Sequence, residues 1–101
     1  MRRHRIVYSD TARADIIAIG DEIRNAAGEF IAERFVARII ATVESLEFMP
    51  TRHRIRSELG ADLRVAGFRK YLIFYRVVDG AVSIVRVLHG SRNITARLLS
   101  G

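Results

Sequence analysis

The residues with most to offer chemically stand together near the C-terminus, in Val87-Leu88-His89-Gly90-Ser91-Arg92-Asn93. A histidine can give or take a proton near neutral pH, and an arginine three positions later can hold a phosphate. Cleavage of RNA needs a base for the 2′-hydroxyl, an acid for the leaving oxygen and cations for the phosphorane. His89 and Arg92, joined by Arg64 from an upstream strand, could supply them. The same spacing fits a structural arrangement in which His89 ends a strand and Arg92 pairs with an acidic residue, and spacing alone favours that one. Other chemistries have less support. His4, His53 and His89 fall on separate elements with no second ligand at helix or strand spacing, so no metal is expected. The absence of cysteine removes thiolate nucleophiles, disulfides and sulfur-ligated zinc. No Ser-His-Asp or phosphate-loop pattern occurs, and no cofactor is expected.

The chain carries a net charge of +6, and 16 of its 17 basic residues are arginine. Residues 1–50 hold 7 basic and 8 acidic side chains, whereas residues 51–101 hold 10 and 3, so the positive field belongs to the second half. Arginine suits bidentate contact with carboxylate or phosphate, which leaves a solvated surface, an acidic protein or nucleic acid as its use. At 101 residues a single domain, 1–101, is expected, with one hydrophobic core. The basic start, "MRRHRIVYSD", has too short an apolar run for a secretory signal, and no stretch is long enough to span a membrane. A cytoplasmic protein is the expectation.

The elements that must position these residues follow from periodicity. "RHRIVYS" (3–9) reads as a strand, with Ser9 or Asp10 as N-cap of a helix whose stripe is Ala12, Ile16, Ile19, Ile23 and Ala26. Gly28 stops it, and the internal Gly20 counts against it by about 1 kcal/mol. A second helix runs from Glu29 to about Met49 with Ala32, Phe35, Val36, Ile39, Val43 and Leu46 along one side, ending before Pro50. With almost no loop between them, the two should form an antiparallel hairpin. After the basic loop "TRHRIRSELGAD" the period becomes two: a short strand at 63–65, then long strands at 71–78 and 81–89 joined by the turn Asp79-Gly80. That turn sets Val77 opposite Val82, Tyr75 opposite Ile84, Ile73 opposite Arg86 and Tyr71 opposite Leu88. Leu72, Phe74, Val85 and Val87 then share the other face. One helical hairpin covers one face, so this strip is expected to be a partner surface. The class is α+β, in the order β-α-α-β-β-β, with a short tail "NITARLLSG".

"YSDTARADI", "FVARIIATVESLEFMP", "LRVAGFRKYLIFYRVVDG" and "IVRVLHGSRNI" together resemble the ParE branch of the RelE/ParE toxin superfamily over almost the whole chain. The resemblance implies a helical hairpin packed on a curved, mostly antiparallel sheet. It also implies a toxin of a type II toxin-antitoxin system, held by a ParD-like antitoxin in a hetero-oligomer. ParE-type toxins block DNA gyrase and arrest growth, with neither GyrA nor GyrB singled out by this sequence; RelE-type relatives cut mRNA on the ribosome. RelE-type nucleases carry further cations and often a C-terminal tyrosine where this chain has Asp62, Leu72 and "TARLLSG". An inhibitor rather than an enzyme is therefore expected, with the RelE-like nuclease of Arg64, His89 and Arg92 as the alternative and a non-toxic binding module as a third. Sequence-specific nucleic-acid binding is not expected. Target contacts are assigned to Arg86, His89, Arg92 and Arg97, and antitoxin contacts to Leu72, Phe74, Val85 and Val87. Arg86 also has a structural reading, as a buried partner of Asp15 or Glu22.

Overall fold

A computed structural model describes residues 3–100. Strand β1 (Arg5–Tyr8) leads into helices α1 (Asp10–Ala27) and α2 (Glu29–Glu44). Two 3-10 turns (Ser45–Glu47 and Pro50–Arg52) precede β2 (Arg64–Phe68), β3 (Tyr71–Val78), β4 (Ala81–His89) and the one-turn helix α3 (Ala96–Leu99). The sheet order is β1-β4-β3-β2, with β1 parallel to β4 and the other pairs antiparallel. The expected α+β architecture is thus the observed one. No described helix is long and apolar enough to cross a membrane.

Ser9 is the N-cap of α1, its hydroxyl accepting from the Ala12 N–H at 2.9 Å. Gly28, at φ 91°, closes α1 and opens α2 as the only residue between them, a conformation that a side chain would strain. Gly20 has its reason in packing: a Cβ there would stand 3.1 Å from Val36 Cγ2 of α2. The stripes Ala12, Ile16, Ile19 and Ile39, Val43, Leu46 meet Ile73, Tyr75, Val82, Ile84 and Val87 of the sheet in the main core. Ala26, expected on that stripe, is exposed. Each aliphatic side chain fully buried in this core contributes about 2 kcal/mol.

Helix α2 stops at Glu44 rather than near Met49 because residues 47 and 48 return to the start of the chain. The His4 N–H donates to the Glu47 carbonyl at 2.7 Å, and Phe48 bridges Arg3. Strand β2 lies at 64–68 rather than 63–65; Ala66-Gly67 has little strand propensity, but β3 supplies a complete antiparallel partner. The Asp79-Gly80 turn has positive φ at both residues, 50° and 75°, as expected of a tight hairpin.

The register departs from expectation after the first two pairs. Val77 does face Val82 and Tyr75 faces Ile84, but Phe74 pairs with Arg86, Ile73 with Val87 and Tyr71 with His89, leaving Val85 as the extra residue of a β-bulge. The bulge turns Val87 into the main core and Leu88 to the opposite face. The opposite face is not open. Phe74 (1% exposed), Val85 and Leu88 are buried with Leu63 and Leu99, and Leu59, Val65, Leu72, Ile94 and Leu98 pack around them. The loop before β2 and the C-terminal segment, read above as basic loop and tail, supply this cover; Gly101 lies outside the described residues.

Candidate functional site

The bulge builds the site. A bulge frees backbone groups that must find other partners. Here the Val85 carbonyl accepts from Ser9 Oγ at 2.9 Å, and the Val87 N–H donates to Asp15 Oδ2 at 2.9 Å. Both partners come from the start of α1, which therefore lies along the edge of β4 where β1 ends. Asp15 also receives Arg86 through Nε and Nη2, each at 2.8 Å, while Nη1 donates to the Leu98 carbonyl at 3.0 Å. Of the two readings for Arg86, the structural one holds, with Asp15 as its partner; the side chains are 15% and 11% exposed. The carboxylate bond holds the Arg86 guanidinium above its usual range. Arg86 is committed inside the protein and is withdrawn from the target-contacting set.

Beyond the bulge, β4 delivers His89 to the rim of an open groove of about 370 Å³ between α1 and the strand, lined in part by Glu22, Tyr71 and Arg92. Tyr71 stands opposite His89, ring edge to ring face with centroids 5.2 Å apart. Burial, then the Glu22 charge, pushes the Tyr71 hydroxyl above its usual pKa, so it stays protonated and can donate. The Ser91 N–H, which can only donate, points at His89 Nδ1 at 3.0 Å, so Nδ1 presents its lone pair and Nε2 carries the hydrogen. The Arg92 N–H closes the turn on the His89 carbonyl at 3.1 Å. Gly90 serves this turn by close approach: its φ is not positive, and a Cβ would stand 3.2 Å from the Lys70 carbonyl oxygen. Arg92 and, on α3, Arg97 are exposed, and neither forms an ion pair among the described residues.

Arg64 is elsewhere. It is opposite Tyr75 on β3, whereas His89 is opposite Tyr71. The two are therefore about 13 Å apart along the strand direction and about 10 Å across the sheet. Arg64 Nη1 donates to the Thr51 and His53 carbonyls at 3.0 and 2.6 Å, fastening the basic loop to β2. The Tyr75 hydroxyl, its pKa pushed up to about 12 chiefly by burial, donates to the Pro50 carbonyl at 2.6 Å in the same corner. The sequence-derived trio of Arg64, His89 and Arg92 is thus divided, with only the last two together. Glu22 and Tyr71 complete the groove and were missed, because Tyr71 meets His89 only after the register shift. Leu72, Phe74, Val85 and Val87 do not form an exposed strip: three belong to the covered face and Val87 to the main core.

The arrangement is a helical hairpin packed on a four-stranded sheet, with a groove at the end of the last strand that Arg92 helps to line. The profile of the ParE toxin of the type II toxin-antitoxin system parDE matches residues 6–94, and the chain belongs to that family. It is 35% identical over 91 residues to Toxin RelE2 of Caulobacter vibrioides, covering 87% of this chain and 97% of the relative. Its fold is similar to a chain of the chromosomal ParDE system of P. aeruginosa, at a TM-score of 0.77 and 20% identity, covering 86% of this chain and 96% of the other. It is also similar to one from the toxin-antitoxin complex RelBE2 of Mycobacterium tuberculosis, at a TM-score of 0.67 and 24% identity, covering 88% and 93%.

Proposed function

We propose that this toxin acts by binding a type II topoisomerase, DNA gyrase, rather than by cutting RNA, and that a ParD-like antitoxin encoded beside it neutralises it in the cytoplasm. The observation that carries the reading is the engagement of Arg64. Its Nη1 is engaged by two backbone carbonyls and the residue lies far from His89, so a phosphorane at His89 would lack its charge, a donor worth about 3 kcal/mol in a preorganised site. His89, Arg92 and Arg97 remain as contacts for the target. A purified-protein supercoiling assay beside ribosome-dependent mRNA cleavage tests this; loss of supercoiling with intact mRNA is expected, and the reverse result overturns it. A second reading, the ribonuclease, draws on the meeting of Glu22, Tyr71, His89 and Arg92 around one groove, and the cleavage arm reports on it.

A further inference from the structure

With the second sheet face filled by the chain itself, apolar surface remains uncovered on the helices, Ile17 of α1 and Phe30 and Ile31 of α2 among it, and on α2 it adjoins arginines. Phe30 and Ile31 are 67% and 46% exposed. Ile31, Arg34, Phe35 and Arg38 recur at helical spacing and, with Arg69 from the β2–β3 turn, line an open hollow of about 300 Å³. No acidic residue lines it, and none of the three arginines forms an ion pair among the described residues. Arg69 also adopts φ 53°, a left-handed conformation that glycine takes at less cost than arginine. Glycine at this position would relieve the backbone and remove only the side chain.

We propose that this hollow is where an acidic helical segment of the antitoxin docks, an aliphatic side chain entering between Ile31 and Phe35 and carboxylates meeting Arg34, Arg38 and Arg69. An apolar centre with an arginine rim is the composition of a protein interface. Nucleic acid fits less well, because the aromatic faces that bases would stack on are in use. Arg34 lies over Phe30, Arg69 lies over Phe68, and Phe35 is wedged edge-on against Phe68 and Tyr71. A second copy of the chain would bring six like charges together. The inference rests on the toxin-antitoxin reading, and it replaces the covered strip of Leu72, Phe74, Val85 and Val87 as the antitoxin surface.

Isothermal titration of the purified toxin with the antitoxin from the adjoining gene tests it. Arg34→Glu/Arg38→Glu and Ile31→Asp should each weaken binding at least about ten-fold, while Arg54→Glu, on the remote basic loop, should not. Arg69→Gly should weaken binding with an equal or higher melting temperature, an outcome that damage to the fold cannot imitate. Wild-type toxin that binds this antitoxin as tightly as all three α2-side variants do overturns the docking site alone. Wild-type toxin that does not bind it overturns the antitoxin reading together with the site. Loss of affinity for a single-stranded RNA in the variants, with antitoxin affinity unchanged, would give the surface to nucleic acid, and a dimer dispersed by Ile31→Asp would give it to self-association.

Discussion

Removing the Asp15 carboxylate would leave Arg86 charged in a place where only 15% of its side chain meets solvent. Breaking such a pair from one side costs about 3 kcal/mol, because the remaining charge has lost its partner and cannot regain water. Asp15→Ala also strips the Val87 N–H of its acceptor, whereas Asp15→Asn keeps an oxygen for it. Thermal melts should therefore rank wild type above Asp15→Asn and Asp15→Asn above Asp15→Ala, with the last lowered by more than about 10 °C; an unchanged Asp15→Ala would refute this role. His53 makes a different prediction. Burial, then the Arg52 and Arg64 charges, hold its pKa below the ordinary 6.5. Between those two values the unfolded chain binds the proton and the folded one does not, so stability is complete above 6.5 and falls as acid takes the solution down through the window. His53→Gln should reduce the loss of denaturation midpoint between pH 7 and pH 5.5, and an undiminished loss would show that other groups set it.

At the scale of elements, the bulge, the α1 cap and the β4 edge are one construction. Ser9 both caps α1 and donates its hydroxyl to the carbonyl that Val85 frees, so Ser9→Ala should cost about 1–2 kcal/mol, the usual cap loss plus an unpaired acceptor. A denaturant midpoint equal to wild type would show that neither bond carries stability. The covered sheet face reverses an earlier expectation in the same way. Phe74→Asp should unfold the protein rather than merely weaken a partner, since it places a charge at a 1% exposed position. Why the strip read as open is instructive. Hairpin turn, helical stripes and strand periods are local and were legible: α1, both long strands and the Asp79-Gly80 turn fell where periodicity set them, and α2 began there but ended at Glu44 rather than Met49. The bulge has no local signature, because Ile84-Val85-Arg86-Val87 alternates no less well in either register; its cause is Asp15 and Ser9, some seventy residues away. The cover from Leu63 and Leu99 is equally non-local, and two short apolar pieces in polar segments do not declare which face they will meet. For the site, His89 and Arg92 were legible as neighbours in sequence, but the division of Arg64 from them depends on strand order.

Over the whole molecule, the two surfaces proposed for two partners are made of different residues: the α2 hollow around Ile31 and Arg38, and the C-terminal rim of His89, Arg92 and Arg97. A toxin that must be inhibited before it is released has use for such a division, because contacts to the inhibitor and contacts to the target can then be altered one at a time. The rim arginines are exposed and form no ion pair among the described residues, so reversing them should leave the fold alone; surface substitutions of this kind usually stay within about 0.5 kcal/mol. Arg92→Glu/Arg97→Glu should therefore abolish growth arrest and gyrase inhibition, with melting temperature and antitoxin affinity unchanged. Arg34→Glu/Arg38→Glu should do the opposite, remaining toxic and escaping the antitoxin. Salt gives an independent check, since screening weakens charge-steered encounter far more than release. Raising ionic strength from about 0.1 M to 0.5 M should slow antitoxin association with the rim variant as much as with wild type, and much less with the α2 variant. Equal salt sensitivity in all three would mean that the positive field acts diffusely, and the assignment of one charged surface to each partner would fall.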